Sequence, residues 1–313
     1  MPTACFLQHP YVRDLAWAIA NPPIIQGVRQ SQNWTSAADW TRSYQHFQQQ
    51  LNALNKNPSE LVELLEQQHD HRLGHRFETL LTYWFKHSGR YNILAQSLQI
   101  QDASRTIGEF DFIVQDSVSQ KVQHWEVSCK FYLGIKDTAQ IHHWVGPLLK
   151  DRLDIKYKTM QTRQSQLSAH PAAQHQLTQL NINIDEHICL MKGRLFHPIG
   201  LSKDCLPELV SNSHQRGQWA RPDSFWAHFK SSSLRWQPLE KDQWLAPQYY
   251  SSNNSYYSSK EILQYFADRP HSLPLCLAGF STHKQAEQES KRVFLVAKDW
   301  AKNLNITDNT VNH

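Results

Sequence analysis

The stretch from Ile107 to Leu133 constrains the fold more than any other part of the chain. Ile107-Gly-Glu-Phe-Asp-Phe-Ile-Val114 and Gln123-His-Trp-Glu-Val-Ser-Cys-Lys-Phe-Tyr-Leu133 both alternate apolar and polar residues. A period of two is the signature of a strand. Between them, Gln115-Asp-Ser-Val-Ser-Gln-Lys121 has turn composition, so an antiparallel hairpin is expected. In the second strand His124, Glu126, Ser128, Lys130 and Tyr132 share one face, and Trp125, Val127, Cys129, Phe131 and Leu133 the other. In the first strand Glu109 and Asp111 share a face opposite Phe110, Phe112 and Val114. The hairpin can therefore set Asp111, Glu126 and Lys130 side by side. Two carboxylates and an ammonium can hold a divalent cation and activate a water for phosphodiester hydrolysis. The plainer alternative is a half-exposed hairpin whose charges are simply solvated.

Helical patterns precede the hairpin. Val12, Leu15, Ala16 and Ile19 are spaced for a helix over 11–20, which Asn21-Pro-Pro23 stops. Residues 41–54 and 59–67 are further amphipathic candidates, with Ser59 as N-cap of the second. Over 72–87, Leu73, Phe77, Leu80, Leu81, Trp84 and Phe85 make an apolar face, and Gly89 ends the helix. His71, His75, Glu78 and Thr82 form a neighbouring stripe. Residues 91–101 read as a strand. Gly146-Pro147 signals a helix from about 148 to 168, ending before His170-Pro171, and Glu186 to Phe196 reads as a strand.

Beyond 197 the pattern is less regular. Trp219, Phe225, Trp226, Phe229, Trp236 and Trp244 interleave with Arg216, Arg221, Lys230, Arg235 and Lys241. Residues 251–255 read as an exposed loop, and 274–280 and 292–297 as short strands. The reading is thus an α/β chain in three parts: a helical N-terminal region at 1–69, a core at 70–197, and an aromatic-rich α+β extension at 198–313.

Composition narrows the function classes. Among 313 residues, 11 Trp, 11 Tyr and 13 Phe mark a folded globule. A formal charge of +4 permits an anionic partner without demanding one. Cysteines at 5, 129, 189, 205 and 276 are odd in number and lack metal-ligand spacing. They imply a reduced, cytoplasmic setting rather than a disulfide framework. No apolar run is as long as a membrane span, and the N-terminus has no signal-peptide pattern. Walker-type and dinucleotide-type glycine loops and a Gly-x-Ser-x-Gly elbow are all missing, which argues against the common nucleotide cradles and the α/β-hydrolase nucleophile.

The order helix, three strands, helix, strand over about 70–197 resembles the core of the PD-(D/E)XK, restriction-endonuclease-like superfamily. The matching residues are Glu78 on the helix, Asp111 on the second strand and Glu126 on the third. The chain as a whole also resembles an uncharacterised bacterial domain-of-unknown-function family. The phrases that carry this likeness are Arg72-Leu-Gly-His-Arg-Phe-Glu78, Gly108-Glu-Phe-Asp-Phe112, His124 to Leu133, Asp151-Arg-Leu-Asp-Ile-Lys156 and Trp244-Leu-Ala-Pro247. The nuclease resemblance implies Mg²⁺ or Mn²⁺ held by Asp111, Glu126, the Val127 carbonyl and Glu78, with Lys130 as the ammonium. It implies nucleic acid as partner, DNA ahead of RNA. The superfamily places lysine two residues after the acidic residue, where this chain has Ser128, and Lys130 comes two positions later on the same strand face. A binding-only member is therefore the alternative. Arg152, Lys156 and Arg163, near one face of the expected 148–168 helix, are candidates for substrate phosphate.

Two rival readings remain at this level. His71, His75 and Glu78 could hold zinc, although Arg72 stands where a zinc peptidase has its glutamate. The Trp and Arg residues of 216–244 could form a binding surface, against their commoner role in a core.

Overall fold

The computed structural model describes residues 7–26, 34–68, 70, 72–102, 105–164, 167–201, 205–269, 273–281 and 288–304, with the backbone alone at 163 and 164. The chain is a mixed α/β protein that divides into two compact units. Residues 1–130, 156–193 and 209–213 make the first, and 131–155, 194–208 and 214–313 the second.

The first unit begins with α1 (Pro10–Ala20), α2 (Ala37–Lys56), α3 (Ser59–Glu66) and α4 (Leu73–His87). The caps explain the boundaries. Ser36 and Asp39 form a reciprocal capping box at the start of α2. The expected N-cap at Ser59 is displaced by one residue. Pro58 is the cap, and Asn57 Oδ1 accepts from both the Ser59 N–H and its hydroxyl. Arg72 precedes α4 in extended conformation without a capping side-chain hydrogen bond, and Gly89 follows the helix at φ +69°, a conformation that glycine adopts without strain.

Three strands follow: β1 (Tyr91–Asp102), β2 (Arg105–Asp116) and β3 (Val122–Gly134). The hairpin forms as its alternation requires. β2 and β3 pair antiparallel, with Gln115 opposite Val122 and Phe112 opposite Trp125. β1 pairs antiparallel with β2. One face of this sheet carries α4, whose Phe85 meets Phe112 at 5.1 Å and Trp125 at 5.4 Å between ring centroids. A separate apolar cluster joins Ile100, Phe110 and Ile113 to Leu167, Ala173 and Leu177, so Phe110 packs with Ile113 and not with Phe112, the partner that the alternation predicts.

After β3 come the two-residue strand β4 (Trp144–Val145), α5 (Leu153–Lys158), a π-helical turn at Thr159–Gln164, a 3₁₀ turn at Leu167–Ala169, and α6 (Pro171–Gln179). The single helix expected over 148–168 is not what forms. Residues 146–149 make a turn in which Leu149 N–H bonds the Gly146 carbonyl, and Arg152 pairs as a β-bridge with Val145. Both segments satisfy their backbone groups outside a helix, so α5 starts only at Leu153.

β5 (Glu186–Pro198) lies beside β3. Contacts advance in the same direction on both strands, from Lys121–Glu186 through His124–His187 to Lys130 against Gly193. The pair is therefore parallel, and the segment from 153 to 179 is its crossover. In the first unit the strand order is β1-β2-β3-β5. β3 is flanked on both sides, so Glu126, Ser128 and His124 are buried. The solvated-face alternative does not describe them.

The second unit takes the ends of β3 and β5, then β6 (Gln215–Ala220), α7 (Pro222–Phe229), β7 (Arg235–Leu239), α8 (Ser259–Ala267), β8 (Leu275–Phe280) and β9 (Lys291–Leu295). Its order is β5-β6-β9-β8-β7, with β6 parallel to both neighbours. The interleaved aromatics are mainly core here. Phe225, Phe229 and Trp236 pack with Ile262, Leu277 and Val293, and Trp219 is buried. Trp226 stays exposed.

Candidate functional site

The site lies in the first unit and grows out of the β2–β3 ladder. Beyond the Phe112–Trp125 pair, the Val127 N–H donates to Asp111 Oδ2 at 2.9 Å. A side-chain carboxylate thus occupies the place where a strand partner's carbonyl would accept. This holds Asp111 beside Glu126, and the two carboxyl groups share a hydrogen bond. Two carboxyl groups can do so only while one keeps its proton.

Glu126 is 1% exposed, and its Oε2 has no hydrogen-bond partner among the described residues. Burial raises its pKa first, and the charges of Asp111 and Glu78 raise it further. Asp111 is also raised, again mainly by burial, against the opposing pull of the Val127 N–H and Lys156. Glu78, on α4, is pushed up to about 7 by burial and by Asp111. His75 Nδ1 touches Glu78 Oε2 at 3.1 Å and favours the charged form. Glu109 adds to the negative potential on Asp111 and Glu78. Burial raises all three carboxyl groups, and the charge of Asp111 raises Glu126 and Glu78 further, so a cation beside them would be favoured.

The cations are placed as follows. Lys156 Nζ is 3.7 Å from Glu126 Oε1, and its charge acts on both Asp111 and Glu126. Lys130 is half-buried, with its charge felt by the neighbouring Cys129 thiol and its carbonyl pressed against Gly193. Ser128 is 7% exposed. Arg152 is engaged by Asp154 through two hydrogen bonds of 2.8 and 2.6 Å. It precedes α5, and the π turn changes the helical phase before residue 163. Arg152 thus lies outside the helix that carries Lys156, and the Arg163 side chain lies outside the described residues.

The zinc reading is not supported in its own terms. His71 lies outside the described residues, and His75 is held by Glu78 and by Asp70 at 3.3 Å. Among the described residues no group of three or more His, Cys, Asp or Glu is arranged to hold a metal ion. A closed protein cage is thus not what these residues offer. Mg²⁺ and Mn²⁺ need less. They are bound by one or two carboxylates, keep several waters and take further oxygens from substrate phosphate. The Asp111–Glu126 pair, with one buried oxygen left unpartnered, fits that lighter requirement.

The contact of Lys156 with Glu126 escaped sequence reasoning, because no local pattern pairs residues thirty positions apart. The sequence offered Lys156 only as a phosphate candidate on a basic helix face, with no indication of its carboxylate partner.

Residues 13–296 match the family described as Domain of unknown function (DUF1853). The chain belongs to this family. No curated protein matches it. No solved structure matches it either. Among the described residues no helix is long and apolar enough to cross a membrane.

Proposed function

We propose that this DUF1853 protein is a Mg²⁺- or Mn²⁺-dependent phosphodiesterase acting on nucleic acid, with a core of the restriction-endonuclease-like type. The observation that carries the reading is the buried Asp111–Glu126 pair with its unpartnered Glu126 Oε2. Burial of two carboxyl groups in contact costs stability unless a cation or a proton sits between them. Supporting it are the order α4, β1, β2, β3, crossover, β5 and the position of Glu78 on α4 next to the pair.

Asp111 and Glu126 would hold the cation, and the superfamily resemblance would add the Val127 carbonyl and Glu78, whose pKa the Asp111 charge raises. When bound, the cation lowers the pKa of a water and neutralises charge on the phosphate. The protein's own residues fix the pair by the Val127 N–H, keep Glu126 out of bulk water and set Glu78 with His75 at the rim.

A second reading is favoured by one observation. Ser128 occupies the superfamily's lysine position and is buried. A chain that binds nucleic acid and no longer cuts it would look this way. One experiment separates the two: wild type and Asp111→Ala are incubated with Mn²⁺, Mg²⁺ or EDTA and a panel of single- and double-stranded DNA and RNA. Metal-dependent cleavage by wild type alone supports the enzyme. Metal-independent binding without cleavage selects the binding-only protein. Neither cleavage nor binding refutes both.

A further inference from the structure

Metal-assisted phosphodiester hydrolysis needs a cation at the phosphate as well as at the carboxylates. Two lysines in this chain are candidates, and their placement differs. We propose that Lys156, carried by the crossover helix α5, is the ammonium that works with the Asp111–Glu126 pair, in place of any lysine on β3. The assignment rests on the phosphodiesterase reading above and adds to it the residue that meets the substrate phosphate.

The geometry argues for Lys156. Its Nζ lies 3.7 Å from Glu126 Oε1, and its side chain is 20% exposed against 1% for Glu126. Lys156 therefore keeps contact with solvent while it touches a carboxyl group that has almost none. The backbone that carries it is anchored on both sides. Leu153 and Met160 are fully buried, and the Met160 carbonyl accepts from Cys189 Sγ on β5 at 3.8 Å. Cys189 also feels the charges of Glu126 and Lys156, so all three groups share one neighbourhood.

Distance argues against Lys130. Four residues along a strand span about 13 Å, and a lysine stem folded back covers roughly one pleat of 6.5 Å. Lys130 would have to fold back by that whole pleat to reach the place of a lysine at 128, whereas Lys156 Nζ already lies 3.7 Å from Glu126 Oε1.

The chemistry is balanced without a proton from Lys156. A water oxygen bonds to phosphorus, one P–O ester bond breaks, and the water's proton ends on the departing alkoxide. The ammonium stays charged throughout and hydrogen-bonds a non-bridging phosphate oxygen, which gains negative charge as the water adds.

The test compares Lys156→Met with Lys130→Met by Mn²⁺ calorimetry and by cleavage. Lys156→Met is expected to lose cleavage a hundredfold or more while binding Mn²⁺ several-fold tighter than wild type, since a neighbouring positive charge has gone. The cleavage lost in Lys130→Met should be at least tenfold smaller. Lys130→Met losing cleavage more than Lys156→Met overturns the assignment and leaves the phosphodiesterase intact. So does a Lys156→Met protein whose Mn²⁺ binding falls in step with cleavage, which would mark a structural role. If wild type binds Mn²⁺ but cleaves nothing, the affinities decide: tightening in Lys156→Met alone keeps Lys156 at the pair, and equal affinities remove it. A wild type that neither binds Mn²⁺ nor cleaves refutes the phosphodiesterase reading itself, and the assignment falls with it.

Discussion

Replacing Glu126 by glutamine should stabilise the metal-free protein at alkaline pH and leave it nearly unchanged at acid pH. Glu126 is 1% exposed and raised from 4.5 to about 9, first by burial and then by Asp111. In the unfolded chain the same carboxyl ionises near its ordinary value. Between the two values only the unfolded state has lost the proton, so stability falls as pH rises, by about 1.4 kcal/mol per pH unit. From pH 5 to pH 8 the wild type should therefore lose about 4 kcal/mol relative to Glu126→Gln. Glutamine reproduces the protonated carboxyl, because its amide N–H can donate to Asp111 as the carboxyl O–H does.

Urea unfolding in EDTA at several pH values measures this directly. The difference between the two proteins cancels the titration of groups unaffected by the change. Saturating Mn²⁺ should shrink the difference at pH 8, since a cation at the pair replaces the proton. At a hundred times its dissociation constant it stabilises wild type by about 2.7 kcal/mol. Parallel stability curves for wild type and variant from pH 5 to pH 8 would refute the buried shared-proton pair.

Two further perturbations test the frame that holds the pair. Gly193→Ala should destabilise the fold by about 3 kcal/mol or more in urea unfolding, because Gly193 has φ +140° and its Cβ would strike the Lys130 carbonyl. Arg76→Met should cost about 3 kcal/mol by the same measurement, since it removes a charged partner of Asp14, 4% exposed, whose Oδ2 accepts from Arg76 at 2.7 Å and joins α1 to α4.

The elements that could be read from sequence are those whose burial is one-sided and local. The hairpin was legible because β2 and β3 each alternate and the turn between them is polar. α1 and α4 were legible because their apolar residues recur at helical spacing and proline or glycine punctuates their ends. The crossover was less so. Nothing in Thr159-Met-Gln-Thr-Arg-Gln164 distinguishes a π turn from an α-helix, and the turn after Gly146 depends on a carbonyl that Leu149 reaches only in the folded chain. Lys192 shows the same limit more sharply. It is fully buried in β5 and donates to the carbonyls of Ala18 and Ile19 at the end of α1. Its Nζ also lies 3.4 Å from the centre of the Trp40 ring. A lysine inside an apolar run gives no hint of partners more than 150 residues away.

The candidate site divides along the same line. Asp111 and Glu126 meet because hairpin register is a local property, set by a short turn and the alternation on either side. Whether that meeting is buried depends on β5, which returns sixty residues later and flanks β3 in parallel. The burial is what changes the chemistry. A solvated pair of carboxylates would ionise and repel weakly, whereas a buried pair must keep a proton or take a cation. Lys156 enters by the same non-local route, on the crossover that the parallel pairing requires. The acidic half of the site is thus a product of the hairpin. Its burial and its basic neighbour are products of the crossover, and a phosphodiesterase would need both.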